Sequence, residues 1–314
     1  MLNTFSIAFY NVENLFDTEN NEFTLDKDYT PDGEFQWSQD RYQRKIQNLS
    51  NVISKIGLKE SKLPPVFIGL SEIENETGLL DLISSEKLKP FDYNFVHYDS
   101  PDERGIDVAF LYQKKYFELI YSDAYTLYLT DNENNRDYTR DILLVSGKLF
   151  NEQVYIIVNH WPSRNGGVKS SENKRVKASN LVQKIITDIY KENKNPNIII
   201  MGDFNDEPKS KSVKNLLMNS ELVNPMLDLQ NNKVGSVKYH GKWYLFDQII
   251  ISHSFLSNSK LKFLSAQIFD DYFLQEPKGK RKGAPKRTFI GKWHQGGFSD
   301  HFPVLAYFKK VNPQ

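Results

Sequence analysis

Short runs of β-forming residues are interleaved with helical patterns along this chain of 314 residues. The expected strands are the apolar runs at residues 5–10, 66–70, 108–112, 142–145, 153–158, 197–201, 246–251 and 303–308. Apolar residues three or four apart predict helices over residues 39–56, 170–190 and 212–217. The two kinds of element do not alternate regularly, and the runs at 142–145 and 153–158 are close enough to pair antiparallel. The pattern therefore predicts an α/β fold with mixed sheets and helices outside them.

Composition excludes several kinds of protein. Hydrophobic residues make up 39% of the chain and aromatic residues 13%, which disfavours disorder. There is no cysteine, so disulfides, a thiol nucleophile and thiolate zinc sites are excluded. The chain shows no internal repeat and no linker rich in Gly, Pro or Ser. We therefore expect a single domain over residues 1–314.

The sequence also bears on the membrane and on localisation. No segment approaches the ~18 apolar residues that a membrane helix needs, and residues 1–10 lack the basic and apolar regions of a signal peptide. We expect a monomer without an integral membrane segment. It is expected in the cytoplasm, or outside it if a leader is missing from this sequence.

The formal net charge is zero, which argues against a uniformly basic nucleic-acid binder. The charge is nevertheless divided along the chain. Residues 1–110 carry 20 acidic and 10 basic side chains, so residues 111–314 carry an equal excess of basic side chains. Lysines and arginines are concentrated between Lys278 and Lys292. This segment is either a clamp for phosphate groups or a solvated loop.

Polar residues stand at the ends of the expected strands, after four of them and before the last, at points where core packing does not require them. These residues are Asn11, Glu13, Glu72, His160, Asp203, Asn205, Asp300 and His301. If the strand ends converge, they form an oxygen-rich cluster that suits Mg²⁺ or Mn²⁺ better than zinc. Each residue taken singly is also typical of a turn or a helix cap, so the prediction depends on their joint order.

The ordered motifs resemble those of the endonuclease/exonuclease/phosphatase superfamily, which includes DNase I, exonuclease III, sphingomyelinases and inositol polyphosphate 5-phosphatases. The motifs are Asn11-Val-Glu-Asn, Leu70-Ser-Glu72, Asn159-His160-Trp-Pro, Gly202-Asp203-Phe-Asn205, Phe246-Asp247 and Ser299-Asp300-His301. The resemblance spans Phe9 to Val304, and residues 104–112 are similar to a bacterial branch. It implies a DNase I-like, four-layer α-β-β-α sandwich of two mixed β-sheets.

This resemblance implies a metal-dependent reaction in which an activated water hydrolyses a phosphoester, with Mg²⁺ or Mn²⁺ as the cofactor. Glu72 matches the family's metal-binding glutamate, and Asn11 matches the asparagine beside the metal. Asp300 lies where the family often places a second-metal or supporting carboxylate. Glu13 lies where some members carry an acid, which suggests an auxiliary metal role.

The catalytic residues are likewise inferred from the resemblance. His301 matches the histidine that acts as a general base or phosphate contact, and Asp247 matches the aspartate that holds its ring. Asp203 and Asn205 match the pair that orients the water, and His160 matches a second histidine that donates to a phosphate oxygen or leaving group. Whether Asp203 or His301 accepts the proton from the water stays open.

Arginines and one tryptophan are candidates for contacting the substrate. A guanidinium group fits phosphate well, so Arg164 and Arg104 are predicted contacts, with Arg140 and Arg175 as weaker candidates. For each arginine the alternative is a surface ion pair. Trp243 could stack on a base or sugar, or it could be an ordinary core residue.

Two functions agree with these residues. The first is a nuclease acting on DNA or RNA, supported by the motifs and the basic segment. The alternative is a phosphatase or phosphodiesterase on an inositol phosphate, a sphingomyelin-like lipid or another small phosphoester, supported by His160 and the neutral charge. A catalytically silent binding module is disfavoured because the whole set of expected site residues is present. In every case the partner is a phosphate-containing substrate.

Overall fold

Two six-stranded mixed β-sheets form the centre of the structure, a computed structural model that describes residues 3–131, 133–218, 221–231 and 234–311. Within these residues the helices are α1 (Gln39–Ile53), α2 (Leu58–Ser61), α3 (Glu76–Ser84), α4 (Val168–Glu192), α5 (Lys211–Leu217) and α6 (Leu227–Asn231). The strands are β1 (Thr4–Leu15), β2 (Phe67–Ile73), β3 (Tyr93–His97), β4 (Asp107–Gln113), β5 (Phe117–Tyr125), β6 (Leu129–Thr130), β7 (Arg136–Asp137), β8 (Ile142–Leu149), β9 (Glu152–His160), β10 (Ile198–Asp203), β11 (Leu222–Val223), β12 (Val237–Tyr239), β13 (Lys242–Tyr244), β14 (Asp247–Ser252), β15 (Leu261–Ile268), β16 (Phe289–Ile290), β17 (Trp293–His294) and β18 (Val304–Lys310).

The first sheet has the strand order β15-β18-β1-β2-β4-β3, and only β1 and β2 pair in parallel among its neighbours. The second sheet has the order β11-β14-β10-β9-β8-β5, with β9 and β10 as its parallel pair. Each parallel pair lies near the middle of its sheet. The strands that carry Asn11, Glu72, His160 and Asp203 are therefore central.

The two sheets pack face to face through alternate side chains of their strands. Phe9 and Phe110 from the first sheet belong to the same buried cluster as Val158 and Met201 from the second. Gly69 in β2 allows this close contact, since a Cβ atom there would lie 2.8 Å from the sulfur of Met201. Burial of these apolar faces stabilises the pairing of the sheets.

Helices cover the outer face of each sheet. Ile46 and Leu49 of α1 pack with Leu79 of α3 in a second cluster, on the opposite face of the first sheet. In a third cluster, Val182 of α4 and Val213 of α5 pack on the second sheet. The order of layers is helix, sheet, sheet, helix, which confirms the predicted four-layer sandwich.

Most of the predicted elements are present with small differences in length. The runs at 142–145 and 153–158 form the antiparallel pair β8 and β9. The helix expected over 39–56 ends at Ile53. The helix expected over 170–190 is slightly longer and spans α4 (Val168–Glu192). The polar segment after residue 275 is not a simple loop, because it contains the hairpin of β16 and β17. Of the helices in the described ranges, none combines the length and apolarity needed to cross a bilayer.

Candidate active site

Irregularities in β1 and β2 turn two polar side chains toward the second sheet. The register of β1 against β2 shifts after Asn11, and that of β2 against β4 shifts between Ser71 and Ile73. Glu72 lies at this bulge with a φ of 67°, a left-handed conformation that is costly for a residue with a Cβ atom. The bulge releases Glu72 from the alternation of the strand, so that its carboxylate lies beside Asn11.

The amide of Asn11 joins the two sheets. Its Nδ2 donates to Oε1 of Glu72 at 3.3 Å and to Oδ2 of Asp203 at 3.1 Å. Asn11 is not at the end of its strand, as the sequence suggested, because β1 continues to Leu15. The side chain nevertheless points to the expected cluster. One buried amide therefore holds two carboxylates that lie 131 residues apart in the sequence.

In the second sheet, one row of paired residues supplies the other half of the site. Asp203 is the register partner of His160 across β9 and of Asp247 across β14. Register partners project to the same face of a sheet, so the three side chains converge. Nε2 of His160 lies 3.7 Å from Oδ2 of Asp203 and 4.0 Å from Oε1 of Glu72.

His301 enters this row from the segment before β18. Its Nδ1 lies 2.7 Å from Oδ2 of Asp247, and its Nε2 lies 3.9 Å from Oδ2 of Asp203. The hydroxyl of Ser236 donates to the same oxygen of Asp247. Since Asp247 is fully buried, these two contacts fix its orientation and hence the ring of His301.

The two histidines have opposite electrostatic surroundings. Burial alone would lower the pKa of His301, but the charge of Asp247 and its hydrogen bond outweigh burial and raise that pKa well above its ordinary value. Burial lowers the pKa of His160 well below its ordinary value, and the nearby Arg140 and Arg104 act in the same direction. Burial also raises the pKa of Asp203 to about 7, helped by the charge of Asp247. These shifts favour a charged His301 and a neutral His160 near neutral pH.

The oxygen donors of the site suit a hard divalent cation. Glu72 and Asp203 share the amide of Asn11, and the basic side chains that lie within 4.0 Å of them in the described ranges are His160 and His301. Two adjacent carboxylates without a lysine or arginine partner leave a negative charge that a cation would neutralise. The metal-binding role of Glu72 stays a prediction. Asn11 turns its Nδ2 to the two carboxylates, and its Oδ1 accepts a hydrogen bond from the N–H of Glu13 at 3.0 Å, so it supports the carboxylates from beside the cation site.

Two other carboxylates are already engaged. Asp203, Asp247 and His301 offer ligand atoms within 4.8 Å of one another, but the Oδ2 atom of Asp247 is taken by Ser236 and His301. We therefore interpret Asp247 as the residue that positions His301. Oδ2 of Asp300 accepts a hydrogen bond from Arg287 at 2.8 Å, so its carboxylate is partly neutralised.

Asn205 and Arg164 form a supported turn after β10. The backbone N–H of Asn205 donates to Oδ1 of Asp203 at 2.8 Å, and its side chain donates to the carbonyl of Trp161 at 2.9 Å. Arg164 donates to the carbonyl of Asn205 and pairs with Asp206 at 2.9 Å. Arg164, which the sequence predicted to contact phosphate, is thus held by protein groups.

The other candidate contacts have mixed surroundings. Arg104 is exposed and donates to Oδ1 of Asn14, next to the site. Arg140 is buried and pairs with Asp102 at 3.0 Å, while Arg175 is buried and pairs with Asp206 at 2.7 Å. Both are buried pairs, so the surface ion pair expected for them is wrong. The ring of Trp243 is half-buried and stacks on Phe302 at 5.9 Å.

A buried network lies behind Asp300. Arg287 pairs with Glu13 at 3.2 Å as well as with Asp300, and the backbone N–H of Thr288 donates to Glu13. Lys45 donates to the carbonyl of Glu13 at 3.1 Å. Burial and the charge of Asp300 raise the pKa of Glu13 to about 7. Glu13 therefore anchors the basic segment to the sheet.

Three residues of this site were missed in the sequence. Ser236 orients Asp247, Asp206 holds Arg164 and Arg175, and Asn14 joins Glu72 to Arg104 through its N–H and its side chain. Asn14 lies inside a quoted motif and Asp206 directly follows another, so both could have been found there. Ser236 lies in no motif, and nothing in the sequence pointed to it.

The paired sheets and the carboxylate–histidine site define the class of DNase I-like hydrolases, which act on phosphoester bonds. The chain belongs to the endonuclease/exonuclease/phosphatase family, whose sequence profile matches residues 6–310. This confirms the resemblance seen in the motifs. Among curated protein sequences, none matches the chain.

Solved structures of the same superfamily share the fold at low sequence identity. An endonuclease/exonuclease/phosphatase family protein from Bacteroides thetaiotaomicron has a TM-score of 0.60 and 16% identity, with 99% of each chain covered. A mannosyl-6-phosphatase from B. thetaiotaomicron VPI-5482 has a TM-score of 0.58 and 15% identity, covering 97% of this chain and 99% of the other. D. rerio TDP2 complexed with a single-strand DNA product has a TM-score of 0.58 and 14% identity, covering 98% and 99%.

Proposed function

We propose that this protein is a divalent-metal-dependent hydrolase that cleaves a phosphoester bond in a compact substrate. The observation that carries the proposal is the meeting of His160, Asp203 and His301 with Asn11 and Glu72 between the two sheets. These groups are a proton acceptor, two imidazoles and a cation site, which are the parts that hydrolysis of a phosphoester requires.

Each group has an assigned role. Mg²⁺ or Mn²⁺, held by Glu72 beside Asn11, would supply neutralisation of the phosphate charge. Because Asp247 keeps His301 charged, we assign His301 to donate to a phosphate oxygen and Asp203 to accept the proton of the attacking water. His160 is neutral and offers an N–H to the phosphate or the leaving group. Asn205 supports the orientation of Asp203.

The surroundings of the site favour a compact substrate over a long polyanion. Arg164 and Arg287 are both paired with protein carboxylates. Asp102, two residues before Arg104, and Glu74, two residues after Glu72, line a cavity rich in acidic side chains. A chain of phosphates would be repelled in that direction, whereas a neutral or cationic leaving group would be accepted.

A nuclease is the second candidate, and one observation favours it. Lys278, Lys280 and Lys282 are exposed on the segment that leads to His301. They could contact the backbone of a nucleic acid, and the half-buried Trp243 could stack on a base.

Hydrolysis of bis(4-nitrophenyl) phosphate and 4-nitrophenyl phosphate with Mg²⁺ or Mn²⁺, with and without EDTA, tests the proposal. We expect metal-dependent turnover that is lost in His301→Ala and Glu72→Ala. Unchanged rates in both variants would overturn the assignment of the site. A panel of plasmid DNA, RNA, inositol phosphates, sugar phosphates and sphingomyelin then separates the two candidates. A steep fall of activity with added salt, removed in a Lys278/Lys280/Lys282→Gln variant, is expected only for a nuclease.

A further inference from the structure

A cavity of about 920 Å³ lies between the segments at residues 17–25 and 99–107. Within the described part of the chain, its lining contains seven carboxylates and no lysine or arginine. Arg140, which lies outside the lining, pairs with one of these carboxylates, that of Asp102. The remaining negative charge is unfavourable unless cations or protons neutralise it. The seven carboxylates are those of Asp17, Glu19, Glu74, Asp99, Asp102, Glu103 and Asp107.

Beside this cavity lies a group of possible metal ligands, of which Asp99 and Asp107 line the cavity. His97 ends β3, Asp107 begins the neighbouring β4, and Asp99 lies two residues after His97. One imidazole nitrogen and one oxygen from each aspartate all lie within 4.8 Å of one another. Ligands about 2.1 Å from one metal are roughly 3.0–3.5 Å apart. Because the side chain of Asp99 is 92% exposed, a small rotation of it could close the group.

The imidazole of His97 provides an independent indication of a ligand. Its side chain is only 1% exposed, yet its Nε2 makes no aligned hydrogen bond within the described residues. The nearest carboxylate oxygen, Oδ2 of Asp107, lies 3.4 Å away. A buried nitrogen without a hydrogen bond costs free energy, and coordination of a cation would satisfy it together with the charge of Asp107.

We propose that His97, Asp99 and Asp107 form a second divalent-cation site, separate from the catalytic centre. An imidazole combined with two carboxylates suits Zn²⁺ or Mn²⁺ better than Mg²⁺. The site depends on neither the proposed reaction nor its substrate.

A cation here would tie the segment between β3 and β4 to the edge of the first sheet. That segment carries Asp102, which pairs with Arg140, and Arg104, which reaches Asn14 beside Glu72. Occupancy of the site would therefore order Arg104 at the mouth of the catalytic centre. The cation acts by positioning this segment and takes no part in bond cleavage.

Titration of the chelator-treated protein with Mn²⁺ or Zn²⁺ tests this site, using calorimetry and, for Mn²⁺, electron paramagnetic resonance. We expect His97→Gln and Asp107→Asn each to lose one binding equivalent, and Asp99→Asn to weaken that equivalent about tenfold or more. Glu72→Gln should retain this equivalent and lose a different one, so the two sites are distinguishable. Asp188→Asn, on the exposed surface of α4, is the matched control and should bind as wild type.

Unchanged stoichiometry and Kd in His97→Gln and Asp99→Asn would overturn the proposal. If His97→Gln or Asp107→Asn fails to fold by circular dichroism, Asp99→Asn decides the question, since its exposed side chain is not needed for packing. A crystal soaked in MnCl₂ should show an anomalous peak between His97 and the two aspartates. A peak at the catalytic centre alone would also contradict the second site.

Discussion

Nδ1 of His301 lies 2.7 Å from Oδ2 of the fully buried Asp247, and the hydroxyl of Ser236 donates to the same oxygen. This pair keeps the imidazole charged and turns its other nitrogen toward Asp203. A buried aspartate held by a second hydrogen bond can orient a histidine without reacting itself.

Asp247→Asn should lower kcat by roughly 10²- to 10⁴-fold, because the amide cannot stabilise the charged ring of His301. Ser236→Ala should have a smaller effect, about tenfold, because it removes one orienting hydrogen bond. The measurement is kcat and KM on bis(4-nitrophenyl) phosphate as a function of pH. A wild-type kcat for Asp247→Asn would exclude this pair from the mechanism.

Glu72→Gln should raise the Mg²⁺ concentration needed for half-maximal activity. The affinity for Mg²⁺ should fall by at least the roughly 10- to 100-fold that is lost when a supporting residue of a metal site is removed. Titration of activity with Mg²⁺ and Mn²⁺ measures this effect. Glu76→Gln, on the exposed first turn of α3, is the control and should leave the metal requirement unchanged. Equal metal requirements for both variants would argue against Glu72 as a ligand.

Asp206→Asn should destabilise the protein by about 3–5 kcal/mol, because it leaves the charge of Arg175 buried without its partner. Arg175 is fully buried, and its Nε lies 2.7 Å from Oδ2 of Asp206. Urea unfolding followed by circular dichroism measures the change. Asp188→Asn breaks the exposed pair with Lys191 and should leave the stability nearly unchanged, because solvent screens such a pair. Similar values for the two variants would show that burial adds nothing here.

The stability of the protein should fall as pH rises from about 4.5 to about 8, with Glu74 as one cause. Burial, together with the charges of Asp17 and Asp26, outweighs the hydrogen bond from the Asp17 N–H and raises the pKa of Glu74 from 4.5 to about 8. Between these two pKa values the folded state keeps a proton on Glu74 that the unfolded state has lost. The stabilisation from this proton is therefore complete below a pH of about 4.5 and is lost as the pH rises to about 8. Because glutamine stays neutral, the fall in Tm between pH 5 and pH 8 should be smaller in Glu74→Gln, by about 2 °C or more. The check is calorimetry at both pH values; equal falls would mean that Glu74 is charged in the folded protein.

Much of the fold could be predicted from residue patterns. The continuous apolar run at β10 and the helical spacing in α1 and α4 reflect local burial, which sequence periodicity reports directly. The edge strands β3, β5 and β15 were missed, since they alternate weakly and carry many polar residues. Their pairing depends on a neighbour already in place.

By itself the sequence determined the four-layer fold and the candidate site residues, because the motifs around Asn11, Glu72, Asp203 and His301 can be read directly from the order of residues. Only the tertiary structure decided how they are used. Ser236 orients Asp247, Arg287 is drawn inward between Glu13 and Asp300, and Arg164 is held by Asp206. Each of these contacts joins residues distant in sequence. Whether a charged side chain meets substrate or a protein partner therefore depends on how the sheets and loops pack, and no local pattern records that packing.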